Sequence, residues 1–256
     1  MTLDHRLEGP ESADVLVLAN SLGTTQELWE RQLPALSERF RVLTYDHPGH
    51  GRSSLADQPA TVDTLAAGLL GLLDELGLDR VSFCGVSLGG MVGMALAHAA
   101  PERVDRVVLS CTSAYIGPPE GWHDRARVVR ADGMNAIADA VVTRWFTPGL
   151  AHNDPETVTR FRAMLVATPP EGYARCCEAI ARWDGRERIA GIAAPVLVVA
   201  GAEDPATPLE HAELIASRIP GARLRVLERA AHLANVECAE TFTDAVLEHL
   251  GQEVPA

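Results

Sequence analysis

The amino-acid sequence predicts an α/β protein whose central sheet is mostly parallel, flanked by helices, and interrupted by an inserted helical segment. Short runs rich in Val and Leu alternate along the chain with longer segments in which apolar residues recur at helical spacing. This alternation is typical of strands that are buried on both faces and joined by crossover helices. It stops between residues 115 and 190, where helical patterns follow one another and no strand-like run occurs.

The predicted strands are short and end in polar or glycine-containing turns. They are Asp14–Ala19, Arg41–Tyr45, Arg80–Gly85, Arg106–Ser110, Pro195–Ala200 and Arg223–Leu227. The helices predicted between and after them are Thr61–Leu76, Leu88–Ala100, Pro208–Ile219 and Glu240–Leu250. Gly77 is expected to end the first of these helices, and Pro101 the second, because the residue before a proline avoids the helical region.

The segment from residue 115 to 190 is interpreted as a helical cap inserted into a core that comprises residues 1–114 and 191–256. Its helical patterns cover Gly133–Phe146, Glu156–Ala167 and Gly172–Trp183, and it holds most of the aromatic side chains. The alternative is that these helices simply continue the layers on the sheet. The lack of any strand-like run over so long a segment favours the cap.

Composition excludes several classes of protein. The chain has 256 residues, 47% hydrophobic and 22% charged, as ordinary globular proteins do. Its formal net charge of −13 argues against nucleic acid or an anionic membrane as a partner, since both need a basic surface. The 5 cysteines show no C-x-x-C spacing, so neither a disulfide framework nor a zinc site is expected. No signal peptide and no apolar run of about 20 residues is visible, and we expect a cytoplasmic protein.

The segment Gly85-Val86-Ser87-Leu88-Gly89 fits the pattern G-x-S-x-G. It follows one predicted strand and opens a predicted helix, which is the context that gives this common pattern meaning. A sharp turn between strand and helix strains the serine backbone and exposes its hydroxyl, and the helix directs free N–H groups at a reacting carbonyl. Ser87 is therefore the candidate nucleophile; the alternative is a tight turn with an incidental serine.

A serine hydroxyl needs a base within hydrogen-bond reach, and 9 histidines are available. His232 follows the last predicted strand and so lies at the same sheet edge as Ser87. His47 and His50 share that edge but precede Ser87 and are readily explained as turn residues. The carboxylate that orients the base is expected in the loop after Pro195–Ala200. Asp204 is our choice there, with Glu203 as the runner-up.

The chain order Ser87, Asp204, His232 is that of the α/β-hydrolase triad. In such a site, two main-chain N–H groups stabilise the negative charge on the attacked carbonyl oxygen. One donor comes from the residue after the nucleophile and the other from the loop after the first core strand. We assign these donors to the backbone N–H groups of Leu88 and Leu22.

The resemblance to α/β hydrolases covers nearly the whole chain, and several motifs look more narrowly like 3-oxoadipate enol-lactonases. These motifs are Asn20-Ser-Leu-Gly-Thr24, Tyr45-Asp46 with Gly49-His-Gly51, Gly85-Val-Ser-Leu-Gly-Gly-Met91, Arg144-Trp-Phe-Thr-Pro148, Thr168-Pro-Pro-Glu-Gly-Tyr-Ala-Arg-Cys-Cys177 and Ala230-Ala-His-Leu-Ala-Asn-Val-Glu237. The resemblance implies the opening of an enol-lactone to 3-oxoadipate in protocatechuate breakdown. It also implies a Ser-His-Asp acyl-enzyme mechanism without a metal or organic cofactor.

Such a substrate is a small anionic lactone, and its carboxylate needs a cationic partner. Arg144 is the candidate, because it adjoins Trp145 in a family-like motif and a guanidinium can bind a carboxylate through two hydrogen bonds. Trp145 and Trp122 are further candidates for the pocket wall. The alternative is that arginines of the cap lie on solvated helix faces and that Trp122 belongs to the core.

Other functions remain open at this point. The same triad would serve another small carboxylic-ester or lactone hydrolase, or a cofactor-free perhydrolase. A ligand receptor on a hydrolase scaffold could also keep the triad and turn over slowly, because a fold does not fix a function. The sequence does not define the oligomeric state.

Overall fold

The computed structural model describes residues 2–251, and within them seven strands form one sheet in the order β1-β3-β2-β4-β5-β6-β7. The strands are β1 (His5–Glu8), β2 (Val15–Ala19), β3 (Arg41–Tyr45), β4 (Val81–Val86), β5 (Val104–Ser110), β6 (Val196–Gly201) and β7 (Arg223–Leu227). β1 runs antiparallel to β3, and every other pairing is parallel. The predicted fold class is confirmed, and the predicted strands differ from the observed ones by a residue or two at their ends.

Strand β1 was missed by the sequence analysis. Its four residues, His5 to Glu8, are alternately half-buried and exposed and include only one apolar side chain, Leu7. An edge strand of this kind lacks the continuous apolar run of a strand buried on both faces. Its pairing with β3, from His5 opposite Tyr45 to Glu8 opposite Val42, holds it in place instead.

The helices divide into those that flank the sheet and those that follow one another between β5 and β6. The first group is α1 (Leu33–Ser37), α2 (Val62–Glu75), α3 (Leu88–Ala99), α9 (Leu209–Arg218), α10 (Ala234–Glu237) and α11 (Ala239–Leu250). Helix α2 begins at a capping box between Thr61 and Thr64. No helix in residues 2–251 is both long enough and apolar enough to cross a bilayer.

The second group occupies the segment interpreted above as a cap. It comprises α4 (Pro119–Asp132), α5 (Asn135–Trp145), α6 (Pro148–Asn153), α7 (Pro155–Ala167) and α8 (Pro170–Ala181). Helix α4 was not predicted, because only Ala126 and Val129 are buried in it and its apolar periodicity is weak. The division into core and cap stays a prediction; residues 115–190 are called the cap segment below.

The two ends of the cap segment lie side by side. Tyr115 and Asp184 form an isolated antiparallel bridge. The Gly185 N–H donates to the Ala114 carbonyl at 2.7 Å, and Trp183 Nε1 donates to the Ser113 carbonyl at 3.0 Å. The segment therefore leaves and re-enters the sheet layer at one place, directly after β5.

Candidate active site

Ser87 lies at the sharp turn between β4 and α3. Its backbone has φ 57° and ψ −115°, in a region that non-glycine residues rarely adopt. The turn needs glycine beside it, because a Cβ on Gly89 would lie 2.2 Å from the Ala19 carbonyl oxygen. The strained backbone and the close approach of β2 thus explain why the serine and the glycine occur together in the motif.

Asp204 and His232 are joined by a direct hydrogen bond. His232 Nδ1 donates to Asp204 Oδ2 at 2.8 Å, and both side chains are buried. Oδ1 accepts from the Ala206 and Thr207 N–H groups at 2.7 and 3.0 Å, and the Thr207 hydroxyl donates to Oδ2 at 2.7 Å. The Asp204 carboxylate is therefore held in one orientation from both sides, whereas Glu203 is exposed.

The same contacts fix the ionisation of Asp204. Burial alone would raise the pKa of its carboxyl, but the His232 imidazole and the hydrogen bonds from Thr207 outweigh burial and hold the pKa below its usual value. Asp204 is consequently a carboxylate at neutral pH and accepts the Nδ1 proton of His232. With Nδ1 directed at Asp204, the second ring nitrogen, Nε2, is left for a contact on the other side of the ring.

A cavity of about 270 Å³ is lined by most of the predicted site residues. Ser87, Leu22 and His232 line it, and the cap segment contributes Trp122, Arg144 and Trp145. Within the described residues no hydrogen bond yet joins Ser87 to His232, as is often so before a substrate binds. No group of three or more His, Cys, Asp or Glu side chains in residues 2–251 could hold a metal ion.

The two N–H groups assigned to the oxyanion belong to a residue next to Ser87 and to a residue that lines the cavity with it. Leu88 is the first residue of α3, and Leu22 lies in the loop after β2. Neither N–H donates to another group in residues 2–251. Both are therefore available to a ligand, although their role stays a prediction.

Arg144 and Arg125 are the cations of the cavity wall. Burial, and then the charge of Arg125, lower the pKa of the Arg144 guanidinium, which nevertheless stays charged at neutral pH. The Arg125 guanidinium stacks on the Trp122 ring, 4.5 Å from its centroid. Neither arginine forms an ion pair with a carboxylate of the described chain. In contrast, Arg130 pairs with Glu171 and Glu178 at the surface.

Three residues that are not predicted from the sequence also line the cavity: Arg125, Tyr173 and Thr207. A signal for Arg125 was present, because it lies one helical turn after Trp122 and so shares its face of a helix. This signal does not stand out in the sequence, because the weak apolar periodicity of α4 does not predict a helix there. Trp145 is both a wall residue and a packing residue, since its ring meets Phe161 edge-on at 6.4 Å.

The loop that carries His232 is hydrogen-bonded to the cap segment directly after the histidine and, through Glu237, before it. The Leu233 N–H donates to the Trp145 carbonyl at 3.0 Å, and the Ala231 N–H donates to Glu237 at 2.9 Å. The other carboxylate oxygen of Glu237 accepts from the N–H of Thr147 at 3.2 Å and from its hydroxyl. The wall around Arg144 and Trp145 is thus fixed relative to the imidazole.

Comparison with known proteins identifies the family of the fold. A family model described as the alpha/beta hydrolase fold matches residues 14–238. The 3-oxoadipate enol-lactonase 2 of Acinetobacter baylyi is 39% identical over 246 residues, which cover 96% of this chain and 92% of that protein. The crystal structure of the enol-lactonase from Burkholderia xenovorans LB400 has a TM-score of 0.95 and 42% identity, covering 98% of this chain and 96% of that one.

A third relative is the crystal structure of a hydrolase from Pseudomonas aeruginosa PA01. It has a TM-score of 0.94 and 46% identity, covering 98% of this chain and 94% of that one. The chain belongs to the α/β-hydrolase family. It is a hydrolase enzyme, and within the family its sequence resembles the 3-oxoadipate enol-lactonases.

Proposed function

We propose that this enzyme opens 3-oxoadipate enol-lactone to 3-oxoadipate, with Ser87, His232 and Asp204 as its catalytic triad. The observation that carries the proposal is one cavity lined both by Ser87 and His232 and by Arg125 and Arg144, two arginines that form no ion pair within the described residues. A small ester that also bears a carboxylate matches both sets of residues. The similarity to proteins named as 3-oxoadipate enol-lactonases supports this substrate. We propose further that the reaction belongs to protocatechuate breakdown in the cytoplasm.

The chemistry follows from the placement of these groups. Ser87 Oγ attacks the lactone carbonyl while His232 Nε2 accepts the hydroxyl proton. The oxyanion of the tetrahedral intermediate accepts hydrogen bonds from the N–H groups of Leu22 and Leu88. Collapse of this intermediate breaks the ring C–O bond and expels an enolate oxygen. The imidazolium returns its proton to that oxygen, and the enol tautomerises to the ketone.

The acyl-enzyme is then hydrolysed by the same groups. His232 takes a proton from water, and the resulting hydroxide attacks the ester carbon attached to Ser87. Collapse of the second intermediate releases the new carboxylic acid and restores the serine hydroxyl. One water molecule is consumed for each lactone opened, and the product is a dicarboxylate. Asp204 stays ionised throughout and stabilises the imidazolium.

The two arginines explain how a protein with a net charge of −13 binds an anion. Neither guanidinium forms an ion pair within the described residues, and Arg144 is partly buried, so it attracts a carboxylate more strongly than an exposed cation does. We propose that Arg144 binds this carboxylate and that Arg125, held on the Trp122 face, adds positive potential beside it. The wall formed by Trp145 and Trp122 packs against the ring.

Replacing Arg144 with glutamine is expected to raise KM for the anionic lactone. A hydrogen bond to a charged group contributes about 1.5–3 kcal/mol, so the increase should be about 10- to 100-fold. KM for neutral p-nitrophenyl acetate should change little, because that ester has no carboxylate. Steady-state kinetics with both substrates measure this difference. Arg127→Gln is the matched control, since Arg127 lies on the exposed face of α4 and pairs with Asp124.

The proposed substrate is tested by following the ultraviolet absorbance of 3-oxoadipate enol-lactone with purified enzyme, alongside Ser87→Ala. Rapid decay that the variant abolishes is the expected result. If the enzyme hydrolyses p-nitrophenyl acetate but leaves the lactone intact, the triad stands and the substrate assignment is wrong. If neither substrate is turned over, a slow ligand receptor on the hydrolase scaffold becomes the better interpretation.

A further inference from the structure

The loop that presents the Leu22 N–H has no regular secondary structure to orient it. This oxyanion loop, Asn20–Gly23, follows β2 and is buried throughout. Gly23 has φ +80°, which favours glycine, and a Cβ there would lie 2.5 Å from Leu165. The direction of the Leu22 N–H must therefore be set by side chains and turns around the loop.

Two histidines from the loop after β3 hold the oxyanion loop on either side of Leu22. The Gly23 N–H donates to His50 Nε2 at 3.1 Å. His47 Nε2 donates to the Asn20 carbonyl at 2.8 Å, and the Gly89 N–H donates to the same oxygen at 3.0 Å. These contacts fix the peptide units before and after the one that carries the Leu22 N–H.

Separate hydrogen bonds hold the central peptide unit, which joins Ser21 to Leu22. The Ser21 carbonyl accepts from the Thr24 N–H at 3.2 Å and from the Thr24 hydroxyl at 2.9 Å. Because the carbonyl and the N–H of a trans peptide point in opposite directions, the Leu22 N–H is turned away from Thr24. The Thr24 turn sets the general direction of the Leu22 N–H. His50 holds the next peptide unit, between Leu22 and Gly23, and so opposes rotation of the loop at Gly23.

The hydrogen bonds require a proton on Nε2 of His47 and none on Nε2 of His50. His50 accepts at Nε2, so its proton is on Nδ1, which faces the Pro48 carbonyl at 3.3 Å. His47 donates at Nε2 and carries its proton there. Burial lowers the pKa of His47 to about 4, and burial together with the neighbouring His47 lowers the pKa of His50 to about 3. Both rings are consequently neutral at neutral pH.

We propose that His50 is a positioning residue for the oxyanion hole and acts by accepting the hydrogen bond of the Gly23 N–H. The inference rests on the proposed triad and oxyanion donors. An oxyanion exists in the transition state and not in the bound ester, so the contribution of His50 belongs to kcat and not to KM. Its role differs from that of a turn residue, the interpretation that the sequence alone favoured.

Two substitutions distinguish the effect of the Nε2 acceptor from that of the Nδ1 contact with Pro48. In His50→Gln the amide reaches the position of Nε2, so its oxygen can accept from Gly23. In His50→Asn the amide ends at the position of Nδ1, which keeps the contact with Pro48 and removes the acceptor. Complete loss of an oxyanion donor lowers kcat by about 10²–10³-fold. Because the Thr24 turn remains, we expect His50→Asn to lose about 10- to 50-fold in kcat.

KM should stay within about threefold in both variants, and His50→Gln should keep kcat within about threefold of the wild type. p-Nitrophenyl acetate serves as the substrate, so the result does not depend on the lactone assignment. An aryl trifluoromethyl ketone, which adds to the serine and places an oxyanion in the hole, should bind His50→Asn more weakly by the same factor as kcat. The matching methyl ketone, which stays a ground-state ligand, should bind equally well.

The inference is wrong if folded His50→Asn keeps the wild-type kcat, or if His50→Gln loses as much as His50→Asn. Should either variant fail to fold, ¹⁵N NMR of the wild-type histidines decides. His50 must then show an Nδ1–H tautomer between about pH 5 and 8, and an Nε2–H tautomer would overturn the proposal. If Ser87→Ala still hydrolyses the aryl ester, it is the proposed triad that fails and not the role of His50.

Discussion

Ser87→Ala is expected to lower kcat by about 10⁵- to 10⁶-fold while the fold stays intact. The variant removes the only atom that can form the acyl-enzyme, and His232 then has no hydroxyl to deprotonate. Alanine keeps the Cβ and the same backbone strain at φ 57°, so the free energy of unfolding should change little. The remaining rate would come from water that attacks a substrate held near the oxyanion donors.

The measurement is single-turnover and steady-state kinetics on p-nitrophenyl acetate, with thermal unfolding followed by circular dichroism. In the wild type, one equivalent of p-nitrophenol should be released in a burst if deacylation is slower than acylation; Ser87→Ala should show none. Ser217→Ala is the control, because Ser217 lies exposed on α9 and bonds only the Leu214 carbonyl of its own helix. Near-normal turnover in folded Ser87→Ala would falsify the assigned nucleophile.

Asp204→Asn is expected to lower kcat by about 10⁴-fold, the effect of the same change in a serine protease triad. Two N–H groups, from Ala206 and Thr207, point at Oδ1 and require an acceptor there. The asparagine oxygen must therefore occupy that position, which leaves its NH₂ group facing His232 Nδ1. An amide donor makes Nδ1 an acceptor and moves the imidazole proton to Nε2, so the imidazole can no longer act as a base toward Ser87.

The tautomer of His232 tests this reasoning directly. The ¹⁵N spectrum of His232 should change from the Nδ1–H form in the wild type to the Nε2–H form in Asp204→Asn. Glu203→Gln is the matched control, since it is the neighbouring carboxylate on the same loop but is exposed, and it should retain nearly full activity. A large loss in Glu203→Gln with normal activity in Asp204→Asn would exchange the two assignments.

The parts of the site that the sequence predicted are those carried by local signals. Ser87 follows from a strand, a glycine-flanked turn and a helix within one short segment, and Asp204 and His232 follow from their positions after strands. Strand β1 and helix α4 were missed because each has few buried apolar side chains, so neither shows a clear period. Arg125 was missed with its helix.

The role of His50 was hidden for a different reason. Its sequence context, a turn with two glycines, gives a sufficient local explanation for the residue. The hydrogen bond to the Gly23 N–H joins two loops that are 27 residues apart in the chain. Parallel topology indicates that both loops reach the same sheet edge, but only the structure shows which side chain accepts from which peptide. Contacts of this kind depend on packing and not on periodicity.

The hydrogen bonds of the Glu237 carboxylate limit which cap segments can be combined with the loop that carries His232. This carboxylate accepts hydrogen bonds from Thr147 of the cap segment, 90 residues earlier in the chain, and from the N–H of Ala231 beside His232. A cap segment transplanted from a relative would have to bring both a compatible hydroxyl at this position and the right wall residues beside it. Segments 144–147 and 231–237 therefore form one hydrogen-bonded unit, and chimeras that exchange them together should retain activity more often than those that divide them.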